Sequence, residues 1–208
     1  MTGRAMLAAR RQPPLLAAVL LGLLASFGCD DGRLNNSSAF TRYWEERIAG
    51  PTPGTLAPEY SALTLDGDSL RLSELRGQVV LLNAWATWCA PCVREMPALQ
   101  AVHDRYAEQG LRVIGVSVDW LDDEQIRAFL DERGLSYPVV RDRQHRLEQQ
   151  FGWSKGIPKT LLIDRDGIVA AYWIGYTDVT SPEIDALIAD VLARAPADES
   201  VATHGQAR

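Results

Sequence analysis

The stretch Ala84-Trp85-Ala86-Thr87-Trp88-Cys89-Ala90-Pro91-Cys92 decides how this chain folds. Just upstream, Val79 to Trp85 is a near-continuous apolar run, the pattern of a strand buried on both faces. Downstream, Pro91 to about Gln109 reads as a helix with Met96, Leu99, Val102 and Tyr106 on one side, and Gly110 ends it. The two cysteines therefore fall where a buried strand turns into a helix. Two intervening residues let both sulfurs meet across one turn at the helix N-terminus. That places Cys89 at the cap, near unpaired backbone N–H groups, and Cys92 one turn in and more covered. Pro91 is tolerated because early helical N–H groups have no intrahelical partner to lose.

The spacing suits thiol–disulfide chemistry. The attacking species is a thiolate, and a helix N-terminus favours an anion by roughly 0.3–1 kcal/mol, up to about 2. Exchange would run through a mixed disulfide. Cys89 attacks a partner disulfide, Cys92 attacks Cys89, and a separate donor reopens the enzyme disulfide. Two blander readings compete. Half a zinc site needs further ligands, yet the chain has only one other cysteine, Cys29, and His103, His145 and His204 are isolated in sequence. A purely structural disulfide over so short a loop would restrain the chain little.

Working outward, strand and helix signals alternate from about Leu56. Tyr60 to Thr64 and Ser69 to Leu72 flank Asp66-Gly67 as a hairpin. Arg112 to Val118 is a second central strand, and Asp122 or Asp123 caps a helix that runs to Glu132 and closes at Gly134. A short strand near Pro138 to Val140 and a helix from Gln144 to Phe151 follow. Thr160 to Ile163 and Ile168 to Ile174 form a second hairpin, and Pro182 to Leu192 closes the domain as a helix capped by Ser181. The pattern predicts an α/β fold with a partly parallel central sheet, flanked by helices and made mixed by hairpins at both ends. The stretch from Asp119 through Gln150 lengthens the chain between the second central strand and the Pro158 loop and is a candidate partner surface.

The N-terminus reads as an address. Arg4, Arg10 and Arg11 precede an apolar run from Leu15 to Phe27. At about 13 residues it is short of the roughly 20 a spanning helix needs, and it fits a signal peptide. Ala25-Ser26-Phe27-Gly28-Cys29 resembles a bacterial lipoprotein cleavage box, with Cys29 as the lipidated first mature residue; an ordinary signal peptide or an uncleaved anchor is the alternative. Asp30 resembles an inner-membrane retention signal, which implies the periplasmic face of the inner membrane. The expected organisation is a signal over 1–29, a tether with a short amphipathic helix over 30–54, an α/β domain over 55–194 and a flexible tail over 195–208. The net charge of −6 with no basic block in the folded part argues against nucleic acid as a partner.

Trp88-Cys89-Ala90-Pro91-Cys92 looks like the thioredoxin active site, and the resemblance implies a thioredoxin fold for the 55–194 domain, with Asp119 to Gln150 as a central insert. The fuller string from Leu82 to Pro97 resembles the TlpA/ResA group of membrane-tethered, redoxin-type thioredoxin-like proteins, and the likeness extends from about Thr55 to Leu192. Gly156-Ile157-Pro158-Lys159-Thr160 matches that family's second landmark. The resemblance implies a cis Pro158 facing the dithiol and a strand-like substrate contact at Ile157. From the residues alone Pro158 could be an ordinary trans turn proline, since cis is only about 5–6% of X-Pro bonds in folded proteins. Trp88, Ala90 and Pro91 complete the implied substrate contacts. Asn83 stands where thioredoxins have a buried acid, and the resemblance implies that Glu95 takes over proton handling, making Cys89, Cys92 and Glu95 the catalytic set. The alternative for Glu95 is an acid favoured near a helix N-terminus. Pro97 either kinks the helix, as in the family, or merely packs. Lys159 would bias the groove toward acidic partners.

The implied activity is protein-disulfide reduction, with apocytochrome c or a copper-site protein as a disulfide-bearing partner and a transmembrane electron donor of the DsbD/CcdA type. No cofactor or metal is implied beyond the Cys89–Cys92 disulfide. Two other functions share the fold. A peroxiredoxin-type thiol peroxidase needs a different motif around its cysteine. A copper-binding module uses a pair spaced one residue wider, with a distant histidine.

Overall fold

The computed structural model describes residues 50–153 and 156–196. The signal, Cys29, the amphipathic segment and the end of the tail lie outside the described residues. Among these residues the elements run in chain order as β1 (Ser61–Leu63), β2 (Ser69–Arg71), a 3-10 turn (Leu72–Leu75), β3 (Val79–Trp85) and α1 (Ala90–Tyr106). After a 3-10 turn (Ala107–Gln109) come β4 (Leu111–Ser117), α2 (Asp123–Asp131), β5 (Val139–Arg141), α3 (Arg146–Gln150), β6 (Lys159–Ile163), β7 (Val169–Ile174) and α4 (Pro182–Ala193).

The central sheet has the order β5-β4-β3-β6-β7, with β3, β4 and β5 parallel and β6 and β7 antiparallel to their neighbours. The sheet is therefore mixed, as expected, but only the C-terminal hairpin makes it so. β1 and β2 pair with each other as a separate two-stranded sheet, joined to the main sheet by an isolated bridge between Thr64 and Val140. Each of these strands has three residues.

β3 is buried along its whole length, and its alternation sorts the core into two layers. Val79, Leu81 and Trp85 pack with Met96, Leu99 and Val102 of α1 and with Ile188 and Val191 of α4. Val80, Leu82 and Ala84 face the other way, toward Tyr60, Leu147, Phe151 and Trp153. Asn83 is also fully buried, and its period-two position puts it on the α1 side. The register pairs it with Gly115 of β4 and Thr160 of β6.

α1 begins where Cys89 leaves the extended conformation at φ −88°, ψ 94° and runs unbroken through Pro97 to Tyr106. Gly110, at φ 94°, turns the chain into β4; this left-handed conformation costs glycine little. Asp122, rather than Asp123, caps α2 in a reciprocal capping box. Asp122 Oδ1 accepts from Gln125 N at 2.8 Å, and Gln125 Oε1 accepts from Asp122 N at 3.1 Å. Buried Asp142 anchors α3, accepting from Arg146 N at 2.9 Å and Leu147 N at 2.8 Å. Ser181 occupies the cap position of α4, but its side chain makes no capping bond and Pro182 opens the helix instead.

Candidate active site

The C-terminal ends of β3 and β4 lie side by side, and each leads directly into a residue of the site. β3 ends at Trp85, and four residues later Cys89 caps α1. Cys89 and Cys92 form a disulfide with an S–S distance of 2.09 Å. Cys89 Sγ accepts from the Cys92 backbone N–H at 3.3 Å, so the sulfur takes one of the donors that a helix start leaves unpaired. Cys89 is 5% exposed and Cys92 is fully buried, the asymmetry expected of a cap residue and one a turn further in.

Across the site the Ile157–Pro158 peptide is cis, and Ile157 O lies 3.8 Å from Cys89 Sγ. The loop before β6 thus sits against the outer sulfur. Trp88 and Ala90 are exposed beside it, Pro91 and Ile157 are half-buried, and Pro158 is buried. Lys159 departs from expectation. It is 1% exposed, with Nζ 5.6 Å from the Trp153 ring centroid. β6 is buried on both faces, so the stem turns into the layer holding Trp153 and presents no surface charge to a partner.

Glu95 occupies the buried stripe of α1, one turn after Cys92, and is 1% exposed. Its Oε1 accepts from Asn83 Nδ2 at 2.6 Å, and its Oε2 accepts from Thr177 N at 3.0 Å. Asn83 Nδ2 also donates to Thr160 Oγ1 at 3.1 Å. Burial raises the Glu95 pKa to about 7, against the opposing pull of the Asn83 and Thr177 hydrogen bonds. A carboxyl poised near neutrality, three residues from an inner sulfur on one helix face, can take up and return a proton under ordinary conditions.

The end of β4 supplies a brace. Asp119 is buried, and its Oδ2 accepts from both Thr87 N and Thr87 Oγ1 at 2.6 Å. Oδ1 accepts from Leu121 N at 3.2 Å. Burial pushes the Asp119 carboxyl up, but these hydrogen bonds outweigh it and hold the group below the usual carboxylate range. Asp119 and Thr87 each immediately precede a tryptophan. Trp120 and Trp88 stack with centroids 5.6 Å apart and planes 17° apart.

Beside Trp88 opens a groove of about 490 Å³ lined by Val118, Trp153, Gly156 and Ile157 and by Glu148 and Gln149 of α3. This size is typical of ligand-binding clefts.

Sequence reasoning brought Cys89, Cys92, Glu95, Trp88, Ala90, Pro91, Ile157 and Pro158 to one place, and the fold places all eight there. It missed Thr177, Thr160 and Asp119. The last was open to inference, because residues just past the carboxyl ends of parallel strands are where α/β sheets build sites. Thr177 acts through its backbone N–H, which any residue there would carry.

Comparison with known proteins agrees with this geometry. The AhpC/TSA family model matches residues 53–172. Thiol-disulfide oxidoreductase ResA of Geobacillus kaustophilus (strain HTA426) is 35% identical over 152 residues, spanning 73% of this chain and 81% of that protein. Among solved structures, a thiol:disulfide interchange protein of the thioredoxin family from Chlorobium tepidum TLS superposes with a TM-score of 0.59 at 28% identity. It covers 70% of this chain and 100% of that one. A secreted thiol-disulfide isomerase from Corynebacterium glutamicum gives a TM-score of 0.60 at 28% identity, covering 66% of this chain and 86% of that one. A dithiol at a helix cap, a cis-proline loop against its outer sulfur and a sequence likeness that spans most of the chain lead to one conclusion: this protein belongs to the AhpC/TSA family, among its thioredoxin-fold thiol-disulfide oxidoreductases of the ResA type.

Proposed function

We propose that this protein reduces disulfides of a specific extracytoplasmic partner through Cys89 and Cys92. The observation that carries the reading is the position of Cys89. Its sulfur caps α1, accepts the Cys92 N–H and lies beside Ile157 O of the cis-proline loop. In the reduced enzyme, Cys89 thiolate attacks one sulfur of the partner disulfide, and the partner's other sulfur leaves as a thiolate. Cys92 then loses its proton to Glu95 and attacks Cys89, expelling the partner's second sulfur. The partner ends as a dithiol and the enzyme as the disulfide. A dithiol donor restores the enzyme by the reverse exchange. Trp88, Ala90 and Pro91 frame the approach, and the Ile157–Pro158 backbone contacts the bound segment.

The pairing of Cys89 with Cys92 favours disulfide exchange over peroxidase chemistry at a single thiol. For the wider setting, the signal-like N-terminus and Gly28-Cys29-Asp30 support a lipid anchor at Cys29 on the periplasmic face of the inner membrane. A transmembrane donor of the DsbD/CcdA type would supply electrons there. Partners awaiting haem or copper, with cysteines that must be kept reduced, fit this role.

The reading is tested by trapping. Cys92→Ser leaves the attacking thiol but removes the resolving one, so mixed disulfides with the partner should accumulate on non-reducing gels. Their absence, or their persistence when Cys89 is also replaced, would contradict the assignment. Labelled fatty acid should enter the wild-type chain in cells and not Cys29→Ser. Equal labelling would remove the anchor.

A further inference from the structure

Positive charge gathers at the turn between β5 and α3, although the chain as a whole carries a net charge of −6. Arg141, Arg143 and Arg146 line one hollow of about 340 Å³, together with Leu63, Asp142 and Gln144. Asp142 is the single acid in that lining, and its charge is spent inward. Its side chain is wholly buried, its two oxygens accept from Arg146 N and Leu147 N, and Arg146 Nε lies 3.8 Å from Oδ1. The open part of the hollow is therefore cationic.

Two of the three cations are fixed in place. Arg141 and Arg143 both donate through Nη2 to Leu121 O, which brings two guanidinium groups to one carbonyl. Arg141 also pairs with Asp123; its side chain is 10% exposed, and its Nε is buried without a partner. Burial first and the Arg143 charge second depress the Arg141 pKa, so the like charges act on each other. Arg143 is exposed, and no carboxylate of the described residues forms an ion pair with it. Held guanidinium groups with charge to spare suit carboxylates, which accept two parallel N–H bonds from one arginine.

Charge and place point to the occupant. A cationic hollow on a protein of net negative charge attracts anions locally. Gln144 lines both this hollow and the groove beside Trp88, so the two adjoin. A protein bound with its disulfide at Cys89 covers about 800 Å² of the enzyme, a patch roughly 30 Å across, wide enough to extend over an adjoining hollow. Leu63, 58% exposed in the lining, offers apolar contact that a peptide uses and a free ion does not. We propose that the hollow of Arg141, Arg143 and Arg146 is a second docking site, separate from the dithiol, that takes aspartate or glutamate side chains on the surface of the partner protein. The proposal rests on the reading of Cys89 as the attacking thiol of a protein-disulfide reductase. The arginines raise the capture of acidic partners and take no part in the exchange.

The test uses the reduced full chain in non-ionic detergent and two synthetic peptides closed by one disulfide. Each carries a Gly-Ser spacer of about ten residues, with a root-mean-square span of roughly 17 Å, followed by a run of glutamates in the first and glutamines in the second. Each turnover converts peptide disulfide to dithiol as enzyme dithiol becomes disulfide, so the rate is read directly from product. At low salt the wild-type enzyme is expected to prefer the acidic peptide by about fivefold or more in kcat/KM, the scale that a few exposed ion pairs supply, through KM and not kcat. Added salt should erase the preference. Arg143→Gln with Arg146→Gln should bring the ratio close to one, whereas Arg112→Gln, at the opposite end of β4, should leave it intact. The ratio is insensitive to a general loss of active enzyme. A wild-type ratio near one, an undiminished ratio in the double variant, or an equal loss in Arg112→Gln overturns the proposal, while reduction of a small aromatic disulfide still supports Cys89 as the attacker. Calorimetric binding of inorganic phosphate that the double variant loses, without a peptide preference, overturns it in favour of a small-ion site. Failure to reduce the small disulfide overturns the reading on which the docking site depends.

Discussion

Replacing Cys89 by serine is expected to lower disulfide reduction by about a thousandfold or more, the scale on which removal of a catalytic nucleophile registers, without unfolding the domain. The two halves of that expectation have separate physical reasons. A serine hydroxyl stays protonated at neutral pH and forms no reversible bond with a disulfide sulfur, so the first step of exchange is lost. Serine is also among the best helix N-caps. Cys89 occupies the cap of α1, with its side chain accepting the Cys92 N–H, and a serine oxygen can accept that same bond. Far-UV circular dichroism and the thermal transition, compared with those of the reduced wild type, should therefore change little while insulin-disulfide reduction disappears. Retained turnover in Cys89→Ser would mean that Cys92 or another group attacks first.

Glu95→Gln is expected to slow turnover by about a hundredfold, at the lower end of what a positioned general base contributes, and to make the protein more stable in alkali. Burial is the first cause of the raised pKa of about 7, and the Asn83 and Thr177 hydrogen bonds only partly offset it. Nearby Tyr137 stays neutral, because burial first and the Glu95 charge second raise its phenol. The sign is set by proton binding. Between the ordinary carboxyl value of 4.5 and about 7, the native state holds a proton that the unfolded state has released. Wild-type stability is therefore full below about 4.5 and falls as pH rises to about 7, then levels. The total loss is on the order of 3 kcal/mol. Glutamine carries no charge to desolvate, so denaturant midpoints of the oxidised variant should lie above wild type at pH 8 and approach it at pH 4. The limb of the rate profile near neutrality should vanish. An unchanged rate profile would reduce Glu95 to a packing residue.

Local spacing made much of this legible in the sequence. Cys89, Pro91 and Cys92 are close neighbours, so the cap geometry of one helix relates them without knowledge of the rest of the fold. β3 was readable because a strand buried on both faces leaves an uninterrupted apolar run. What the sequence hid is nonlocal or atypical. Glu95 meets Asn83 and Thr177, the latter 82 residues away, and no periodicity announces such a partner. Asp119 looks like any acid after a strand until its bonds to Thr87 are seen. Lys159 reads as surface charge, because lysine is rarely buried, yet its strand is covered on both faces. Alternation reveals the strands of the first hairpin but not their neighbours, and the hairpin forms a sheet of its own.

The central claim is that Cys89 and Cys92 form a reversible two-electron couple, and its most direct test is equilibration of the purified chain, in detergent and with Cys29 replaced by serine, in graded dithiol–disulfide buffers, with free thiols counted after acid quenching. The account predicts a single transition in which two thiols appear together, with a midpoint on the reducing side near that of thioredoxin, about −270 mV. No transition between fully oxidising and fully reducing buffer would contradict it, as would a single titrating thiol.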